Sequence, residues 1–150
     1  MAKLLDELDT RILRRLNENA RQSFRDIARA LRVSISTVSN RVKRLEGEGV
    51  VLGYAPILDE KKLGYDLLAV IGIRISKGKL LEVQRKIARD DKVVEVYDVT
   101  GEYDSMIIAR FRNTRELDAF IKRLVAMENV ERTYTQVVLN VVKREKRSPL

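Results

Sequence analysis

Small hydroxyls, one carboxamide and three cations are packed into Ser34–Glu46, the run Ser-Ile-Ser-Thr-Val-Ser-Asn-Arg-Val-Lys-Arg-Leu-Glu. That combination suits hydrogen bonding to base edges and phosphates. Val38, Val42 and Leu45 recur at i, i+4 and i+7, an apolar stripe on a helical period. Ser36, Thr37, Asn40, Lys43 and Arg44 project from the opposite side. Ser34 stands where its hydroxyl caps the first turn, whose backbone N–H groups otherwise lack partners. Such a helix offers short polar groups to base edges near its start and cations to phosphates toward its end. With Ser34 and Arg41, and with Arg25 from the preceding segment, these residues form a candidate set for contacting nucleic acid.

Charge points the same way. The 150 residues carry a formal net charge of +8 and a pI near 9.9, which favours acidic partners, nucleic acid ahead of a membrane surface. Between Ala20 and Leu45 stand Arg21, Arg25, Arg29, Arg32, Arg41, Lys43 and Arg44 against Asp26 alone, a local excess of +6. A solvated, arginine-rich helix surface is the plainer explanation of that excess. Cysteine and histidine are both absent. Disulfides are therefore impossible, and the commonest zinc ligands and the usual base for a nucleophilic serine are missing. The paired carboxylates Asp90-Asp91 fall at a helix end with no apolar pocket to tune them. Neither an enzyme nor a cofactor is expected. The opening Met1-Ala-Lys-Leu-Leu-Asp-Glu turns charged too soon for a signal-peptide core. The longest apolar run, Leu67–Ile73, is far short of the roughly 20 residues that cross a bilayer. A soluble, cytoplasmic protein without membrane contact is expected.

The elements that must position these groups divide into two sets. Asp6 caps a first helix with Leu8, Ile12, Leu13 and Leu16 inward. Ser23-Phe-Arg-Asp26 reads as a capping box opening a second helix with Ile27, Ala28 and Leu31 inward. Only Arg32 and Val33 separate it from the Ser34 cap, so the two helices cross steeply, as in a helix-turn-helix. Gly47-Glu-Gly49 ends the third helix, and Val50–Tyr54 reads as two short strands forming a wing. Pro56–Gly64 is a polar connector. Beyond it the pattern predicts strands at Leu67–Ile75, Val93–Val99, Ser105–Phe111 and Val130–Val142, and helices at Lys79–Asp90 and Thr114–Met127. An echo at an offset of 36, pairing Arg74 with Arg110 and Leu81 with Leu117, supports two βαβ halves. The fold class is α+β: a winged helix-turn-helix (1–54), a hinge (55–64), a βαββαβ ferredoxin-like domain (65–143) and a basic tail (144–150), given no role beyond solubility.

Two helices cover only one face of a four-stranded sheet. Leu68/Val70 and Ala69/Ile71, and Val137/Leu139 and Val138/Val142, put apolar groups on both faces. A second copy stacked on the uncovered face is the economical solution, so a homodimer is expected.

Leu5-Asp6, Asp9, Ile12-Leu13, Leu16 and Ala20-Arg21, then Ile27-Ala28, Leu31, Ser34, Val38, Arg41-Val-Lys-Arg-Leu-Glu46, Gly49-Val50 and Gly53-Tyr54, with Val99-Thr-Gly-Glu-Tyr-Asp104 further on, together resemble the Lrp/AsnC (feast/famine) transcriptional regulators. The resemblance implies a DNA-binding domain contacting double-stranded DNA and a RAM/ACT-like effector and oligomerisation domain. It also implies dimers assembling to octamers, and an amino-acid effector held near the Gly-x-x-Asp loop and the last strand. By position these are Gly101, Glu102, Tyr103 and Asp104, facing Thr133, Tyr134, Thr135 and Gln136. A zwitterion needs a carboxylate for its ammonium and donors for its carboxylate, which Asp104, the loop N–H groups and Thr135 can supply. Alternatively, Gly101 supplies only the positive φ of a tight turn, and Asp104 stays in water.

Two other functions remain in view. An RNA-binding ferredoxin-like module needs stacking aromatics on its central strands, and Ser105–Phe111 lacks that pattern. A ligand-sensing subunit without DNA binding leaves the Ala20–Leu45 charge unexplained.

Overall fold

The computed structural model describes residues 5–150. The charge argument against a signal peptide begins at Met1, so part of it lies outside the described residues. The chain forms two compact units. One comprises the described residues up to Ile57 together with Lys143–Leu150; the other is Leu58–Val142.

The first unit holds α1 (Glu7–Glu18), α2 (Phe24–Leu31) and α3 (Ile35–Gly47). Asp6 caps α1 in a closed capping box: its carboxylate accepts from Asp9 N–H at 2.8 Å, and Asp9 accepts from Asp6 N–H at 3.1 Å. The expected box at Ser23 stays half open. Ser23 Oγ accepts from Asp26 N–H, but the Asp26 carboxylate takes the Ser23 hydroxyl at 2.5 Å instead of a backbone N–H. Arg32, at φ +57, turns α2 into α3 with its own N–H and that of Val33 closing onto the last carbonyls of α2. Ile12, Leu16, Ile27, Ala28, Leu31, Val38 and Val42 form the shared apolar centre.

The wing expected at Val50–Tyr54 is not formed: no strand is assigned there. The N–H groups of Val50 and Val51 both donate to the Leu45 carbonyl and cap α3, and the segment beyond, up to Tyr54, forms no strand. Tyr54 hydroxyl donates to Glu46 at 2.9 Å, tying this segment back to α3. The basic tail, given no role from sequence, clusters with the first unit, where Asn17 Nδ2 donates to the Ser148 carbonyl at 2.8 Å.

The second unit runs β1 (Leu67–Ile75), α4 (Leu80–Ile87), β2 (Val93–Asp98), β3 (Ser105–Phe111), α5 (Thr114–Val125) and β4 (Val130–Val137). The sheet order is β2-β3-β1-β4, antiparallel throughout. This is the expected βαββαβ arrangement. Ala69, Ile71, Ile73, Ile107, Ala109 and Phe111 face α4 and α5, meeting Val83, Ile87, Phe120 and Leu124 in one core. The last strand is shorter than the expected Val130–Val142. After Val137 only Val138 N–H continues the pairing, to the Leu68 carbonyl near the start of β1. Val137–Val142 therefore adds no second apolar strand face. The face away from the helices is carried instead by Leu68, Val70, Met106 and Ile108, all half-buried.

Part of the connector is folded too. Glu60 accepts from Leu63 and Tyr65 N–H groups, and its carboxylate pairs with Arg110 at 2.9 Å.

Candidate nucleic-acid interface and effector loop

Helix α3 buries Val38, Val42 and Leu45 and exposes Ser36, Asn40 and Lys43, the alternation its periodicity requires. Ser34 serves the cap: its Oγ accepts from Thr37 N–H at 3.0 Å and lies 2.8 and 2.7 Å from the hydroxyls of Ser36 and Thr37. Thr37 is half-buried, and its hydroxyl is engaged in that cluster. Lys43, and Arg25 on α2, are exposed and form no ion pair with a described residue. The side chains open to a ligand are thus Ser36, Asn40 and Lys43 on α3, with Arg25 on α2.

Arg41 and Arg44 are placed otherwise. Their guanidiniums reach α1, where Asp9 is fully buried. Arg41 Nη1 donates to Asp9 Oδ1 at 3.0 Å and to the Asp6 carboxylate; Arg44 Nη2 donates to Asp9 Oδ2 at 2.5 Å. Burial alone raises the Asp9 pKa, but hydrogen bonds from Arg44, from Asp6 N–H and from Arg41 outweigh it and bring it to about 2. Asp9 is the buried partner of these two cations that reading the sequence for cations missed. Its signal was available, because Asp6 and Asp9 stand at capping-box spacing.

In the second unit the loop between β2 and β3 is strapped to β1. Asp104 N–H donates to the Ile73 carbonyl at 3.0 Å, and Asp104 Oδ2 accepts from Ile75 N–H at 2.8 Å. Asp104 is therefore neither left in water nor wholly available to a ligand; one carboxylate oxygen fastens the loop. Gly101 sits at φ +117, where a side chain is strained, so its turn demands glycine whether or not a ligand approaches. Glu102 is exposed beside it.

Tyr103 folds over β1. A Cβ at Gly72 would stand 2.8–3.0 Å from the Tyr103 ring, and that ring stacks on Tyr134 with centroids 5.9 Å apart. A lone glycine inside an apolar strand is the sequence sign of such an approach. Strand register divides the expected effector residues between the two sheet faces. Tyr134 opposes Gly72 and Gln136 opposes Val70, on the open face with Tyr103. Thr133 opposes Ile73 and Thr135 opposes Ile71, on the helix-covered face, both half-buried. The loop with Tyr134 and Gln136 forms one surface; Thr133 and Thr135 do not join it.

Asp90 is occupied: its Oδ2 takes Arg123 Nη2 at 2.5 Å and its Oδ1 the Lys92 N–H at 3.0 Å. Among the described residues no helix is long and apolar enough to cross a membrane, and no acidic cluster could hold a metal ion.

Residues 5–46 match the AsnC-type helix-turn-helix domain, and residues 68–148 the Lrp/AsnC ligand binding domain. An uncharacterized HTH-type transcriptional regulator of Pyrococcus abyssi is 44% identical over 95% of this chain and 97% of its own. The structure of Escherichia coli AsnC superposes with a TM-score of 0.91 at 30% identity, covering 98% of this chain and 100% of that one. A transcriptional regulator of Neisseria meningitidis in complex with L-methionine superposes with a TM-score of 0.90 at 27% identity, covering 97% of each chain. With both halves matched in order, the chain belongs to the Lrp/AsnC family of transcriptional regulators, with a helix-turn-helix domain followed by a ligand-binding domain.

Proposed function

We propose that this regulator binds duplex DNA sequence-specifically through α3, and that an amino acid bound near the Gly101–Asp104 loop modulates its DNA binding or assembly. The observation that carries the DNA reading is the exposed row Ser36, Asn40 and Lys43 on a helix whose opposite side is buried. Asn40 is the bidentate base reader, and Lys43 and Arg25 take phosphates. Affinity for duplex DNA then falls steeply with salt, and Lys43→Ala lowers the salt slope by about one while weakening all sequences alike. Asn40→Ala narrows the gap between specific and non-specific DNA by about 1–3 kcal/mol. A wild type that binds no duplex overturns the reading.

The effector reading is supported by the L-methionine complex of the Neisseria relative and by the surface formed by exposed Gly101, Glu102 and Tyr134 around the half-buried Tyr103. Loop N–H groups suit a ligand carboxylate, and Glu102 with the remaining Asp104 oxygen suits an ammonium. The half-buried Leu68, Val70, Met106 and Ile108 support a homodimer through the open sheet face, a building block for larger assemblies. Calorimetry of the full chain against the twenty amino acids, methionine first, tests the effector. Asp104→Asn keeps an acceptor for Ile75 N–H while removing the charge, so it abolishes ligand binding without loosening the loop. Normal binding by that variant, or none by the wild type, removes the site.

A further inference from the structure

Ile12 and Leu16 of α1 share an apolar cluster with Val38 and Val42 of α3. Apolar contact is non-directional and by itself leaves a helix free to roll or slide by small amounts. Asp9 adds a directional contact. Its two oxygens take separate guanidiniums, Arg41 on Oδ1 at 3.0 Å and Arg44 on Oδ2 at 2.5 Å, from successive turns of α3. Asp6 N–H adds a third hydrogen bond at 3.1 Å, and the half-exposed Asp6 carboxylate takes Arg41 as well. Two grips one turn apart oppose rotation of α3 about its own axis. Ser36, Asn40 and Lys43 project from the flank beside those grips, Asn40 one turn before Arg44, so any roll of α3 moves them relative to a groove. The same contacts engage two of the three α3 cations, which on a DNA backbone would attract every sequence equally.

We propose that Asp9 is a specificity-determining positioning residue for DNA recognition. It fixes the roll of α3 and withholds Arg41 and Arg44 from phosphates, with Asp6 as a weaker second hold on Arg41. The inference rests on α3 being the DNA-contacting helix.

The test uses the full chain. Wild-type protein selects a duplex from a random library, and affinities for that duplex and a scrambled one of equal composition are then measured across a salt series. Asp9→Asn lowers the ratio of selected to scrambled affinity at least tenfold, raises the scrambled affinity and steepens the salt slope by one to about two, as freed guanidiniums reach phosphates. Asp6→Asn keeps the α1 cap, since asparagine caps as well as aspartate, and steepens the slope by about one with a smaller loss of ratio. Circular dichroism reports the fold of each variant, and if Asp9→Asn does not fold, Asp6→Asn carries the test. A parallel fall in both affinities, or an unchanged ratio and slope, overturns the positioning role. A wild type that enriches no duplex overturns the DNA reading itself, and this inference with it.

Discussion

Asp9 contributes to stability in a way that pH can read. Its folded pKa, about 2, lies below the ordinary 3.8, so its contribution is fully present above about pH 5. It shrinks as pH falls through 3.8 toward 2 and is absent below, a loss of about 2 kcal/mol. Denaturant unfolding of the first unit, followed from pH 6 to pH 2, should show that loss in wild type and a flattened profile in Asp9→Asn. An equal slope in both proteins would place the acid sensitivity elsewhere. Gly72 gives a second test at this scale. Valine there collides with the Tyr103 ring, which must leave the sheet, and should destabilise the second unit by about 1–3 kcal/mol. Adding Tyr103→Ala should recover much of the loss. A Gly72→Val protein as stable as wild type would mean that the ring yields freely.

At the scale of elements, α3 depends on its first turn. Ser34→Ala removes the acceptor for Thr37 N–H and should cost about 1 kcal/mol. Ser34→Asp keeps an acceptor and adds a negative charge beside Ser36. Its stability should match wild type while its DNA affinity drops at low salt, separating the cap from any phosphate contact. Equal DNA binding by wild type and Ser34→Asp would remove the start of α3 from the interface.

At the scale of the whole molecule, the open sheet face is the feature that a single chain leaves half covered. Ile108→Glu puts a charge among Leu68, Val70 and Met106 without touching the helix-covered core. Light scattering should find wild type as a dimer or a multiple of it, and this variant as a monomer with its circular dichroism retained. A monomeric wild type would show that the face needs no second copy.

Periodicity in the sequence determined the three helices of the first unit, the order of strands and helices in the second, and the buried stripe of α3. Each rests on local spacing, three to four residues for a helix and two for a strand, which a single segment expresses without reference to any other. The bounds of β1 and β3 follow from their apolar runs for the same reason. What Arg41 and Arg44 touch was decided only by the tertiary structure, because spacing along α3 says that a cation leaves the helix but not which carboxylate, some thirty residues away in the chain, stands beside it. The unpaired Val50–Tyr54 segment and the early end of β4 likewise depend on whether a partner strand is present. The separation of Thr133 and Thr135 from Tyr134 and Gln136 depends on register against β1. A one-residue choice of register selects the face for every side chain on a strand, and that choice is made by packing against α4 and α5, not by the strand itself.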